Sequence, residues 1–237
     1  MAALAWLFGA APLARHGAQH LDMNTPAQDP RHAQGDLFES GARFSIDTSF
    51  ETARRFALDD HSWIEIVPGW MSGASLLYEQ MRSRVPWLEH DRRLFNRVFR
   101  EPRMTATYPD LADVPEQGLL QAVRALSSHY GVTYDGLWMN LYRNGQDSTG
   151  WHRDHRSCRK SECIVPVLTL GTTRRFLIRP IKGGSSMTFK PSSGDLVVMG
   201  GRSQQDWVHC VPKEPGIAGA RISVNFMSTA QGVRDRP

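Results

Sequence analysis

From Gly131 onward the chain breaks into short runs of β-branched and aromatic residues separated by turn residues, and this rhythm limits the fold more than any other feature. The runs are GLWMNLY (136–142), IVPVLTL (164–170), RRFLIR (174–179), SMTFK (186–190), DLVVM (195–199), DWVHCV (206–211) and RISVNFM (221–227). Runs of this length and make-up suit a pleated, half-buried surface. Several short strands at near-regular spacing predict an α+β chain with a mainly β core, closed as a barrel or a double-sheet jelly roll.

The first half has a different character. Residues 16–42 are rich in Gly, Gln, Asp, Asn and His and lack an apolar period, which predicts a flexible N-terminal arm over 1–42. HSWIEIVPGWM reads as a strand running into a turn at Pro68–Gly69. Ser72 stands where it could cap a helix through about Arg84, with Leu76, Leu77 and Met81 at helical spacing. Residues 104–118 combine proline with small polar residues and predict a long loop. Leu119 to Tyr130 predicts a helix, with Leu119, Leu120, Val123 and Leu126 on one face and Gly131 as its stop. The expected organisation is the arm followed by one domain over 43–230, with helices and a lid in 43–135 and the β core in 136–230.

A content of 41% hydrophobic and 22% charged residues is that of an ordinary globular chain. No apolar run reaches the roughly 18 residues of a membrane span, so no membrane partner is expected. The apolar start of the chain has its first basic residue, Arg15, behind it, the reverse of a secretory signal. Cys158, Cys163 and Cys210 lack C-x-x-C spacing, which argues against a disulfide framework or structural zinc and predicts a reducing, cytoplasmic setting. The net charge of +4 has a local source. Between Arg82 and Arg103 lie seven arginines and three acids, an excess equal to that of the whole chain. Such a patch points to a polyanion, nucleic acid first, or to a merely solvated surface.

GWHRDHR places His152 and Asp154 two residues apart. In extended backbone such residues point to one side, so an imidazole and a carboxylate can face one ion. DWVHC supplies His209 from another expected strand. Two histidines and one carboxylate on one face leave three positions of an octahedral ion open, as non-haem iron(II) oxygenases require. His155 and Asp147 lie near enough in sequence to compete as ligands. Arg221 opens RISVNF twelve residues after His209. A buried arginine there would clamp the far carboxylate of 2-oxoglutarate through paired hydrogen bonds.

These pieces, in this order, resemble the AlkB family of dealkylating dioxygenases over roughly residues 58–228. MNLYRNGQDSTGWHRD looks like the family's N-x-Y segment leading into H-x-D, LTLGTTRRFLIR like its next strand pair, SGDLVVMGGRSQQDWVHCV like the segment with the distal histidine, and EPRMTATY like the stretch before the nucleotide-recognition lid. The resemblance implies a double-stranded β-helix with N-terminal helices and a lid. It implies iron(II), 2-oxoglutarate and dioxygen as cofactors, with His152, Asp154 and His209 as metal ligands and catalytic centre. Asn140, Tyr142 and Arg221 would contact the cosubstrate. The implied reaction is oxidative demethylation of bases such as 1-methyladenine and 3-methylcytosine, with formaldehyde and succinate as products. The partner would be single-stranded DNA or RNA rather than duplex, bound by a monomer. Arg97, Arg100 and Arg103 would then hold phosphates, and Tyr108 or Trp87 would stack on the base.

Two positions depart from the family pattern. Its second arginine, six residues after the first, is replaced by Met227, and the acid two places after the H-x-D aspartate is replaced by Arg156. Arg156 is therefore the candidate to restore the positive charge lost at Met227. The same changes keep open a hydroxylase or demethylase of a protein or small molecule. A non-catalytic β-barrel binding module is the reading from another class.

Overall fold

The short strands expected after Gly131 form two packed antiparallel sheets. The computed structural model describes residues 44–94, 97–154 and 158–231. The arm expected at 1–42 lies outside the described residues, as do His155 and Arg156. In chain order the elements are β1 (Ser45–Ile46), β2 (Arg54–Ala57), β3 (Ser62–Val67), β4 (Met71–Ser72), α1 (Ala74–Arg84), β5 (Leu88–Leu94), β6 (Arg97–Tyr108), a 3-10 turn (Leu111–Asp113) and α2 (Gln117–Tyr130). There follow β7 (Gly136–Tyr142), β8 (Thr149–His152), β9 (Cys163–Gly171), β10 (Phe176–Pro180), β11 (Met187–Phe189), β12 (Leu196–Gly201), the short α3 (Ser203–Asp206), β13 (Trp207–Val211) and β14 (Arg221–Met227). The large sheet has eight strands in the order β2-β3-β12-β9-β14-β7-β6-β5, and the small sheet four in the order β11-β10-β13-β8. This is the jelly roll that the strand rhythm predicts.

Alternation along the strands builds two cores. Leu137, Met139, Leu168, Ile222, Val224 and Phe226 turn to one side of the large sheet and pack with Leu77 and Met81 of α1 and Leu119, Ala122 and Leu126 of α2. Between the sheets lies a second cluster, with Val165, Val197 and Met199 from the large sheet and Phe176, Ile178 and Trp207 from the small one. Leu119, Ala122, Val123 and Leu126 fall on the buried stripe of α2. Gly131 ends this helix at φ 65°, a left-handed conformation in which its N–H bonds back to the Ser127 carbonyl. No helix among the described residues is long and apolar enough to cross a membrane.

Two local expectations are corrected. Ser72 does not cap α1: it ends β4, its hydroxyl bonds Ser45 at 2.7 Å, and Gly73 stands at the helix start. Residues 104–108 are not loop but the second half of β6, because Met104 to Tyr108 pair in register with Leu137 to Leu141 of β7. Of the seven arginines of the basic segment, Arg82 and Arg84 therefore end α1, and the other five lie on a β5–β6 hairpin at the edge of the large sheet.

Candidate metal centre and active site

β8 is an outer strand of the small sheet, and its last residue, His152, pairs directly with His209 of β13. A direct cross-strand pair places both side chains on one face, and the ring centroids lie 4.3 Å apart. Asp154 follows just past the strand. Its backbone N–H donates to Gln204 Oε1 of α3 at 2.7 Å, which sets where the carboxylate enters. Asp154 Oδ1 lies 3.4 Å from His152 Nε2, and Oδ2 lies 3.4 Å from His209 Nε2. The ligand-capable atoms of the three residues lie within 4.8 Å of one another.

Hydrogen bonding prepares the ligands. His152 Nδ1 donates to the Gly150 carbonyl at 2.8 Å. A carbonyl can only accept, so the proton sits on Nδ1 and the Nε2 lone pair turns toward the cluster. Phe176 stacks on His209 with centroids 5.4 Å apart. Burial would raise the Asp154 carboxyl, but the adjacent His209 and His152 hold it well below the usual carboxylate range. Burial pushes the His209 imidazole down. Burial acts on His152 in the same sense and most strongly, yet the bond and charge of Asp154 together with the Gly150 carbonyl outweigh this and raise it. The cluster thus combines an ionised carboxylate with an uncharged His209, the donor state that a divalent cation takes.

The cluster borders a cavity of about 910 Å³. Alternate residues of β7 (Trp138, Asn140, Tyr142) and of β14 (Arg221, Ser223, Asn225) line it. Arg221 is only 2% exposed. Its Nη2 donates to Thr169 Oγ1 at 3.1 Å, while Nε and Nη1 have no hydrogen-bond partner and no carboxylate pairs with it among the described residues. Burial pushes its pKa down, but a guanidinium stays charged in any accessible pH range. Asn140 is held on both sides, its Oδ1 accepting from Arg103 Nε at 3.0 Å and its Nδ2 donating to Ser223 Oγ at 3.2 Å. Tyr142 is buried beside Arg221, whose guanidinium carbon lies 5.5 Å from its ring.

The expected substrate contacts divide. Arg103 borders the cavity and pairs with Glu101 at 2.9 Å. Arg100 is exposed on the hairpin and pairs with Glu89 at 2.7 Å and Asp91 at 3.2 Å, away from the cavity lining. Arg97 is exposed near the hairpin tip, also outside the lining. Tyr108 is corrected: it is buried in the core beside α2 and cannot stack on a base. The register with β7 turns Thr105 and Thr107 to the cavity and leaves Tyr108 on the other face. Trp87 packs against the same core. Asp147 is no competing ligand, because both its oxygens accept from Arg143. Met227 pairs with Gly136, and its side-chain end lies over that glycine.

Other residues escaped the sequence reading. Arg174 is fully buried and donates to the Asn144, Asp147 and Pro212 carbonyls and to Glu214 Oε2, fastening two loops at the rim. A charge inside the expected strand RRFLIR was its only signal. Gly145 belongs to one of these loops, and a Cβ there would stand 1.8 Å from the Glu214 carbonyl, so only glycine allows the approach. Trp138 and Trp151 border the cavity although neither belongs to the expected stacking pair. Cys158 and Cys163 are joined as a disulfide, contrary to the expectation from their spacing. Gln231 bonds this turn: its backbone carbonyl accepts from Arg159 and its side chain bonds both backbone polar groups of Ile164.

Residues 77–226 match the family model of the 2OG-Fe(II) oxygenase superfamily. The human alpha-ketoglutarate-dependent dioxygenase alkB homolog 3 is 29% identical over 184 residues, 69% of this chain and 64% of that protein. The chain therefore spans slightly under two thirds of that relative's length. The DNA oxidative demethylase ALKBH2 of Arabidopsis thaliana is 23% identical over 192 residues, 63% of this chain and 60% of that protein. The solved structure of OsALKBH1 matches with a TM-score of 0.52 at 14% identity, covering 73% of this chain and 100% of its own, a likeness of fold. With His152, Asp154, His209 and Arg221 all inside the matched span, the chain belongs to the 2OG-Fe(II) oxygenase superfamily and is homologous to its AlkB dioxygenases.

Proposed function

We propose that this protein is an iron(II)- and 2-oxoglutarate-dependent dioxygenase that demethylates alkylated nucleobases of the 1-methyladenine and 3-methylcytosine type, working as a monomer on single strands. The observation that carries the reading is the buried Arg221, without a carboxylate partner among the described residues, in one cavity with the His152, Asp154 and His209 cluster. The similarity to a DNA oxidative demethylase supports the substrate class.

The residues fit the cofactors. Two imidazoles and a carboxylate suit iron(II) with open positions, and the described residues supply no fourth ligand to close the site as structural zinc would require. Arg221, with two donors unspent, would hold the far carboxylate of 2-oxoglutarate, because its planar fork matches a carboxylate. When bound, iron(II), dioxygen and 2-oxoglutarate supply the oxidising power that turns an N-methyl into an N-hydroxymethyl group, which releases formaldehyde, while the keto acid becomes succinate and carbon dioxide. The protein's own groups prepare this chemistry. Gly150 keeps the His152 tautomer, Gln204 places Asp154, and Phe176, Val167 and Met199 line the cavity with apolar surface that excludes water. A base must leave its stack to reach ligands set within a cavity, and a single strand makes that step least costly.

The test is to incubate iron-loaded protein and 2-oxoglutarate with single-stranded and duplex oligonucleotides carrying each methylated base, reading oligonucleotide mass, formaldehyde and succinate. Loss of one methyl group, faster on single strands, is expected. Iron-dependent succinate without methyl loss from any oligonucleotide would leave the oxygenase and remove the nucleic-acid substrate.

A further inference from the structure

The cavity is bordered by five consecutive residues, Gly150 to Asp154, because it opens across β8, an outer strand of the small sheet. His152 faces inward with His209, so its neighbour Trp151 faces the other way. Trp151 remains 38% exposed. The guanidinium of Arg179, from β10, lies over its ring at 4.1 Å from the centroid. Arg153 borders the cavity on the same strand end, its Nη1 donating to the Gln205 carbonyl at 3.3 Å. Arg179 Nε is buried without a hydrogen-bond partner. Neither arginine has a carboxylate partner among the described residues, so both keep their full charge for an anion from outside.

We propose that Trp151, Arg179 and Arg153 form a subsite for the nucleotide next to the methylated one, on a single strand that crosses the β8 edge. The neighbouring base stacks on the exposed surface of Trp151, and the intervening phosphate is held by Arg179 and Arg153. The inference rests on the nucleic-acid reading above and deepens it. Aromatic stacking accepts any base, so the subsite selects a polymer over a free nucleoside without selecting sequence. Arg179 orders the ring before binding through its cation–π contact. A duplex keeps neighbouring bases paired and stacked on each other, so a single strand fills the subsite at lower cost.

The test is fluorescence anisotropy of a labelled, unmethylated six-nucleotide single strand, in deoxy and ribo forms, titrated with the metal-free full chain over a range of salt. W151A should weaken binding about 10- to 100-fold, the range of one stacked base, whereas W151F should stay within about threefold. R179M should weaken it several-fold and lower the salt slope by about one, as for a lost phosphate contact. Equal losses with both strands assign the subsite to backbone and base stacking, and a loss confined to one strand would overturn that sugar-independent assignment. W151A and R179M binding like the parent, while methylated oligonucleotides are still turned over, would overturn the subsite and spare the function. Absence of turnover on every methylated oligonucleotide, with the parent chain not binding the strand, would instead overturn the reading beneath it.

Discussion

On the β5–β6 hairpin, Arg100 and Arg103 are met by acids of the same ribbon. Arg100 reaches Glu89 and Asp91, Arg103 reaches Glu101, and Arg143 of the facing loop shares Glu89 with Arg100. Near β8, Arg153 and Arg179 have, among the described residues, a backbone carbonyl and an indole ring as partners and no carboxylate. The hairpin holds the larger share of basic residues in sequence, and the β8 side holds the charge that is free to act at the cavity. A count of charges along a chain locates cations but not their partners. An arginine already matched by a carboxylate offers less to a phosphate, since the acid cancels its net charge and would repel the phosphate, even though an exposed pair is itself worth only about 0–1 kcal/mol.

The same contrast exists in the interior, and it orders the expected effects. Arg174 is the fully matched extreme. Arg174→Met should cost about 3–5 kcal/mol by removing four hydrogen bonds at a fully buried site and taking their donor from the Asp147 and Pro212 carbonyls, while Arg175 stays on Glu214, read as a lower urea midpoint. A variant of unchanged stability would break the claim that matched arginines here serve the fold. Arg221 is the unmatched extreme. Arg221→Met should weaken 2-oxoglutarate by about 2–5 kcal/mol, roughly thirtyfold or more, by calorimetry, with Arg221→Lys recovering only part because an ammonium lacks the fork. A loss of stability with cosubstrate affinity intact would reverse the assignment.

At the rims the effects shrink. Arg153→Ala should weaken single-strand binding several-fold and lower the salt slope by about one. Arg100→Ala should change it by no more than about twofold, since that charge is already spent on Glu89 and Asp91. Equal losses in the two variants would erase the distinction between the rims. The smallest effect concerns Cys210, which follows His209 on β13. Burial pushes its thiol up to about 11. At pH 8 it is protonated, with roughly one molecule in a thousand as thiolate. Alkylation of the native protein at pH 8 should therefore be slow and should quicken as pH rises toward 11. Rapid labelling at pH 8 would show that this side of the small sheet opens readily.

The core strands were legible because their signal is local: branched and aromatic runs with period two form strands wherever they pack. His152 and Asp154 were legible for the same reason, being two residues apart on one stretch of extended chain. Tyr108 was not. A strand shows one face or the other according to its register, and a one-residue difference exchanges the two. Only pairing with β7 settled that Thr107 turns to the cavity and Tyr108 to the core. Ser72 misled because a serine before an apolar helical run signals a cap, whereas pairing with Ser45 claimed its hydroxyl first. Cys158 and Cys163 misled because spacing says nothing of the turn between them, which is held by hydrogen bonds to Gln231 far along the chain.

What the sequence alone determined is therefore the strand rhythm, the helix that stops at Gly131 and the short-range pairing of His152 with Asp154. Each follows from backbone periodicity and needs no distant partner. The tertiary structure decided the rest: the cross-strand meeting of His209 with His152, the burial of Arg221 and, among the described residues, which arginines meet an acid. These depend on register, burial and through-space charge, which arise only when segments far apart in the chain are brought together.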